Sequence, residues 1–128
     1  MTEKIEPARA TGNCFGAHRL LWEAAASLAR RLSTSTDEGH LLHLGASCMR
    51  IASEQALQAR TSWQALRSWR ECILADRQIK LGIYRGLRRG TVDTGTYDDL
   101  FQLARQVALV REDERQRLRR ELHQHTIV

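Results

Sequence analysis

A chain of 128 residues fits one domain, large enough to bury a single core and too short to carry a second. Its formal charge of +5 is uneven: residues 1–39 carry five basic and five acidic side chains, 40–90 carry nine and three, and 91–128 carry six and seven. No run is apolar enough to span a membrane, the first residues hold no apolar signal core, and no GxxxxGK[ST], HExxH or GxSxG spacing is present. These features lead us to expect a soluble, cytoplasmic, non-enzymatic protein without cofactor or metal.

Pro7 is the only proline, and Ala, Leu, Arg, Gln and Glu dominate the chain beyond it, so helix breakers are nearly absent. Residues 1–13 lack periodicity and are expected to form a flexible arm. A first helix is predicted from Cys14 to Leu32, with Ala17, Leu21, Ala24, Ala25, Leu28 and Leu32 on one stripe. Ser33-Thr34-Ser35-Thr36 ends it, and Thr36 or Asp37 can cap a second helix whose inward stripe is Leu41, Leu44, Gly45, Cys48, Ile51 and Ala52.

Thr61 with Gln64 has the form of a capping box, so the chain breaks near Arg60 and a third helix runs to about Arg89. Gly90 is the expected left-handed C-cap behind the basic turn Arg85, Arg88 and Arg89, and Asp93 caps the fourth helix. The apolar stripe of that helix, Tyr97, Leu100, Phe101, Ala104, Val107, Ala108, Leu118 and Leu122, is interrupted by Arg111 and Arg115. Its charge-dense stretch Arg111 to Arg120 reads as a solvated, partly frayed end. The predicted fold is all-α, an up-down-up-down four-helix bundle over residues 14–122, with a flexible tail at 123–128.

The third helix has two faces. Leu66, Trp69, Cys72, Ile73, Ile79, Ile83 and Leu87 form its inward arc at 100° per residue. Trp63, Leu74 and Leu81 fall opposite, interleaved with arginines, which is the composition of a subunit interface. Asp76 and Lys80 stand four apart on the inward arc, where they can pair with each other or with Arg111 or Arg115. Gly82 and Gly86 form GxxxG on another edge.

The basic residues are eighteen arginines against Lys4 and Lys80, and the planar guanidinium fork suits phosphate or carboxylate. Arg50, Arg60, Arg67, Arg70, Arg77, Arg85, Arg88 and Arg89 are therefore candidate contacts to RNA or DNA, made through phosphate and dependent on salt. The alternative is a protein-interaction scaffold, in which the same arginines pair with acidic groups of sister subunits or of another protein. Cys14, Cys48 and Cys72 form no CxxC pair and are expected as reduced thiols, Cys48 and Cys72 in the core. Cys14 with His18, and His40 with His43, each offer at most two metal ligands.

Gly90, Val92, Asp93, Tyr97 and Leu100 resemble a pattern between the last two helices of the small "four helix bundle protein" family. That family includes proteins encoded by intervening sequences in bacterial 23S rRNA genes and accessory variability proteins of diversity-generating retroelements. The resemblance extends over about residues 17–110, with Trp22 near the start of the first helix. Where the family's second helix carries Ser-Ile-Pro-x-Asn-Ile-Ala-Glu-Gly, this chain reads Arg50-Ile51-Ala52-Ser53-Glu54-Gln55-Ala56-Leu57-Gln58, keeping Ile51 and Ala56. The resemblance implies a four-helix bundle assembled as a homo-oligomer, often a pentameric ring, with basic surfaces for nucleic acid and no catalytic residues.

Overall fold

Capping chemistry divides the chain into helices. The computed structural model describes residues 5–32 and 36–127, which form α1 (Ile5–Arg31), α2 (Asp37–Gln58), α3 (Ser62–Arg89) and α4 (Thr94–Ile127). The Thr36 hydroxyl accepts from the amide of Gly39 at 3.2 Å and opens α2. The Thr61 hydroxyl accepts from the amide of Gln64 at 3.1 Å, and the Gln64 side chain accepts from the amide of Arg60 at 3.0 Å. Gly90 closes α3 at φ 79°, a left-handed conformation that side chains disfavour. The Asp93 carboxylate accepts from the amide of Thr96 at 2.7 Å to open α4, and that bond holds its pKa below the usual carboxylate value.

Each helix packs on its neighbours in sequence, and α1 closes the square against α4. Short connections make the arrangement up-down-up-down, with no strand among the described residues. The core is Leu21, Ala25 and Leu28 of α1, Leu42, Ala46 and Met49 of α2, Trp69, Cys72, Ile79 and Ile83 of α3, and Leu100, Ala104, Val107 and Leu118 of α4.

At the α2–α3 seam glycines stand where the backbones approach closely. A Cβ on Gly45 would lie 2.8 Å from Ile79 Cγ1 and 3.1 Å from the Ala75 carbonyl oxygen. One on Gly82 would lie 2.9 Å from Leu42 Cγ and 3.3 Å from the Glu38 carbonyl oxygen. At the end of that seam Glu38 is buried, accepting from Arg89 at 3.2 Å and from the Thr91 hydroxyl at 3.1 Å, which ties the α3–α4 turn to the start of α2.

Three expectations are corrected. First, α2 is rotated relative to its predicted stripe: Gly45 and Ala52 are buried and Leu41 is half-buried, but Leu44, Cys48 and Ile51 are exposed. Close approach to α3 selects Gly45, Ala46 and Ala52 at the seam beside the buried Leu42 and Met49, and leaves Leu44 and Ile51 outside. Second, α1 begins at Ile5 and α4 ends at Ile127, so residues 5–13 and 123–127 are helical; residues 1–4 and 128, like 33–35, lie outside the described set. Third, the charge-dense part of α4 is not simply solvated, because Arg111 and Glu114 are buried against α1 and α3.

Candidate interaction surface

The interior holds a polar centre built by three helices. Arg111 of α4 donates to Asp76 Oδ2 at 3.3 Å and to His18 Nε2 at 3.2 Å, while Lys80 reaches Asp76 Oδ2 at 3.4 Å. His18 Nδ1 donates to the Cys14 carbonyl at 2.8 Å, and its ring lies 4.8 Å from that of Trp69. Below it Thr11 donates to Glu114 at 2.7 Å, and Arg117 pairs with Glu114 at 2.8 Å. Asp76 thus meets both Lys80 and Arg111, the two arrangements that spacing left open.

This centre is sealed rather than reactive. Burial pushes the His18 pKa down to about 4 with the Arg111 charge acting in the same direction, while the bond to the Cys14 carbonyl opposes both. Burial pushes the Cys14 thiol far above its ordinary value, with Glu114 adding to the shift, and raises Cys72 to about 11. Cys14 Sγ stands 3.7 Å from His18 Nδ1, but that nitrogen's proton is committed to a carbonyl, so the pair is no nucleophile and base. His40 and His43 lie exposed on α2, and no group of three or more metal-ligating side chains occurs among the described residues.

The outward face of α3 is different in kind. Trp63, Leu74 and Leu81 are 61%, 54% and 42% exposed, in a row opposite the core. Arg67, Arg70, Arg77 and Arg85 flank that row, exposed and without an ion-pair partner among the described residues. Between α2 and α3 the row borders a groove of about 840 Å³ lined by Ile51, Cys48, Gln55, Arg67 and Leu74. The α2 contribution escaped sequence reading, since Leu44 and Ile51 were assigned to the core. An α2 helix apolar on both sides was the available signal.

The outward face of α4 carries the opposite charge. Leu109 is 70% exposed there, and Asp98, Asp99 and Asp113 are exposed with no cation paired to them among the described residues. Arg105 and Arg120 are the cations of that face. Interhelix contacts fix relative heights: Asp76 meets Arg111, Ser62 donates to Glu121 at 2.6 Å, and Lys80 sits 5.6 Å from the Phe101 ring centre. In this antiparallel register Leu109 lies level with Leu74, Asp113 with Arg70, and Asp98 with Arg85.

The eight candidate arginines do not form one surface. Arg67, Arg70, Arg77, Arg85 and Arg88 share the outward side of α3, where Arg88 also donates to the Tyr84 hydroxyl at 3.4 Å. Arg89 is occupied by Asp37 at 3.4 Å and Glu38 at 3.2 Å. Arg60 sits at the α2–α3 turn, and Arg50 faces the α1 side of α2, 3.6 Å from Glu54. No helix among the described residues is long and apolar enough to cross a membrane. Compared with known proteins, the chain matches no family model, no curated protein and no solved structure.

Proposed function

We propose that the protein is a self-assembling, non-enzymatic helical scaffold in which the outward face of α3 on one copy docks on the outward face of α4 on the next. The observation that carries this reading is the match in height between the two faces. Among the described residues, arginines without an ion-pair partner flank a Leu74–Leu81 row on α3, and aspartates without one flank Leu109 on α4. Burial of such apolar rows drives association, and opposite charges at equal height fix its register.

Two different patches on one subunit make a heterologous contact. Here they stand at adjacent corners of the helix square, so each added copy turns by roughly a quarter turn and the chain of copies closes into a small ring rather than a filament. A pentamer belongs to this class. Two α3 faces brought together would instead oppose arginine to arginine.

Phosphate binding by the α3 arginines is the weaker reading of this face. Leu74 and Leu81 are aliphatic and cannot stack on bases, and Trp with Arg set among leucines is the make-up of a protein contact. Light-scattering mass tests the proposal. Wild type is expected as a multiple of the 14.7 kDa chain and Leu74→Asp as a single chain. A single-chain wild type, or an unchanged mass for Leu74→Asp, rejects it.

A further inference from the structure

We propose that the groove between α2 and α3 is the seat of α4 from a second copy of this chain, which enters it with Leu109. The inference rests on the self-assembly proposed above and brings α2 into the contact. The groove, of about 840 Å³, has an alanine floor, Ala52 and Ala75, between Ile51 of α2, which is 56% exposed, and Leu74 of α3. Small residues at the floor leave depth for one branched aliphatic side chain, as when two helices receive an amphipathic third.

The polar rim selects the occupant. Gln55 and Gln58 of α2 and Gln64 and Gln78 of α3 line the groove, and Glu71 offsets Arg67 there. Neutral amides around an aliphatic floor give no hold to a polyanion and suit a helix that carries leucine among glutamines. The outward face of α4 has that composition, since Gln102, Gln106 and Gln116 surround Leu109 and all are exposed. Leu20 of α1, also exposed, stands instead beside the ion pair of Arg19 and Glu23.

Heights agree as well. In the register that sets Leu109 level with Leu74, Gln106 falls beside Gln78 and Arg120 beside the exposed Trp63. Two primary amides serve each other as donor and acceptor, and a guanidinium over an indole gains a cation–π contact. Asp113 comes between Arg67 and Arg70. On α2, Ser53 meets Cys72 at 3.4 Å and Gly45 faces Ile79, so Cys48 stands level with Ala75 and hence with the neighbour's Leu109.

Cys48 supplies the test, because it lines the groove and is exposed while Cys14 and Cys72 are buried. Alkylation of wild type by N-ethylmaleimide is followed by mass spectrometry across a dilution series, with light-scattering mass recorded on the same samples. Cys48 is expected to react at least about tenfold more slowly in the assembly than in the single chain, in proportion to the dissociated fraction. Ile51→Asp, which lies off the outward row of α3, is expected to give a single chain as Leu74→Asp does.

An assembly whose Cys48 reacts at the single-chain rate, or an Ile51→Asp variant of wild-type mass, overturns the groove and leaves the α3–α4 contact standing. Protection of Cys48 that persists in the single chain means that something else fills the groove, which overturns the proposal too. A wild type that is a single chain with a reactive Cys48 removes the assembly and the groove together.

Discussion

Arg111 and His18, far apart in sequence, share one hydrogen bond of 3.2 Å that fixes the tautomer of the buried imidazole. A guanidinium can only donate, so His18 Nε2 accepts and its proton resides on Nδ1, facing the Cys14 carbonyl at 2.8 Å. Protonating the ring would place a second cation against Arg111.

Acid sensitivity has a defined sign. The folded pKa of His18, about 4, lies below its ordinary 6.5, so the unfolded chain takes up the proton first as pH falls. The stability that neutral His18 retains is complete above pH 6.5, declines between 6.5 and about 4, and levels off below, a loss on the order of 3 kcal/mol. The variant H18Q lacks the titrating ring and serves as the reference for wild type. Urea midpoints for the two across this window are expected to converge as pH falls, and parallel curves would contradict the assignment.

Asp76 is expected to be among the most costly single positions. It balances Arg111 and Lys80 inside the bundle at 3.3 and 3.4 Å, so Asp76→Ala strands a buried guanidinium and costs about 3–5 kcal/mol. Replacing both partners, as in D76L/R111M, is expected to cost less than the single change. Denaturant titration of the single and double variants gives the comparison.

Gly45→Ala tests the close seam between α2 and α3. The added Cβ meets the Ala75 carbonyl at 3.1 Å as well as Ile79, and backbone cannot step aside as a flexible side chain can. A loss of about 1–3 kcal/mol is expected in chemical unfolding despite alanine's higher helix propensity. Gly16→Ala, with open space around it, is expected to be neutral or stabilising.

The register of the proposed assembly has its own check. Arg70→Glu places like charge opposite Asp113 of the neighbour and is expected to weaken association by on the order of 1 kcal/mol per contact. Adding Asp113→Arg restores opposite charges and is expected to recover the wild-type assembly midpoint in dilution experiments. Failure of the double variant to recover would place the contact elsewhere.

Helix boundaries were legible in the sequence wherever local chemistry decides them. Thr36, Thr61, Gly90 and Asp93 occupy the caps that their side chains or backbone freedom suit, because a cap depends on residues only two or three positions away. The exposed row Trp63, Leu74 and Leu81 was legible for a similar reason, since the inward arc of α3 is unambiguous. The inner face of α2 was not, as hydrophobicity favours Leu44 and Ile51 while the distance to α3 favours Gly45, Ala46 and Ala52. Burial of Arg111 and Glu114 depends on partners from α1 and α3 that no local pattern announces.

The inner face of α4 joins the bundle through Arg111, Glu114, Arg117 and Glu121 as much as through Leu118 and Val107. Polar contacts gain little until all partners are in place, whereas the glycine seam of α2 and α3 links helices adjacent in sequence and closes early. The hairpin of α2 and α3 is thus expected to form first, and α4 to detach first. Amide hydrogens in the second half of α4 are expected to exchange with solvent through a partial opening, well before those of α2 and α3. A subunit in that opened state uncovers Arg111, Glu114 and Leu118, the face of α4 that packs on α1 and α3.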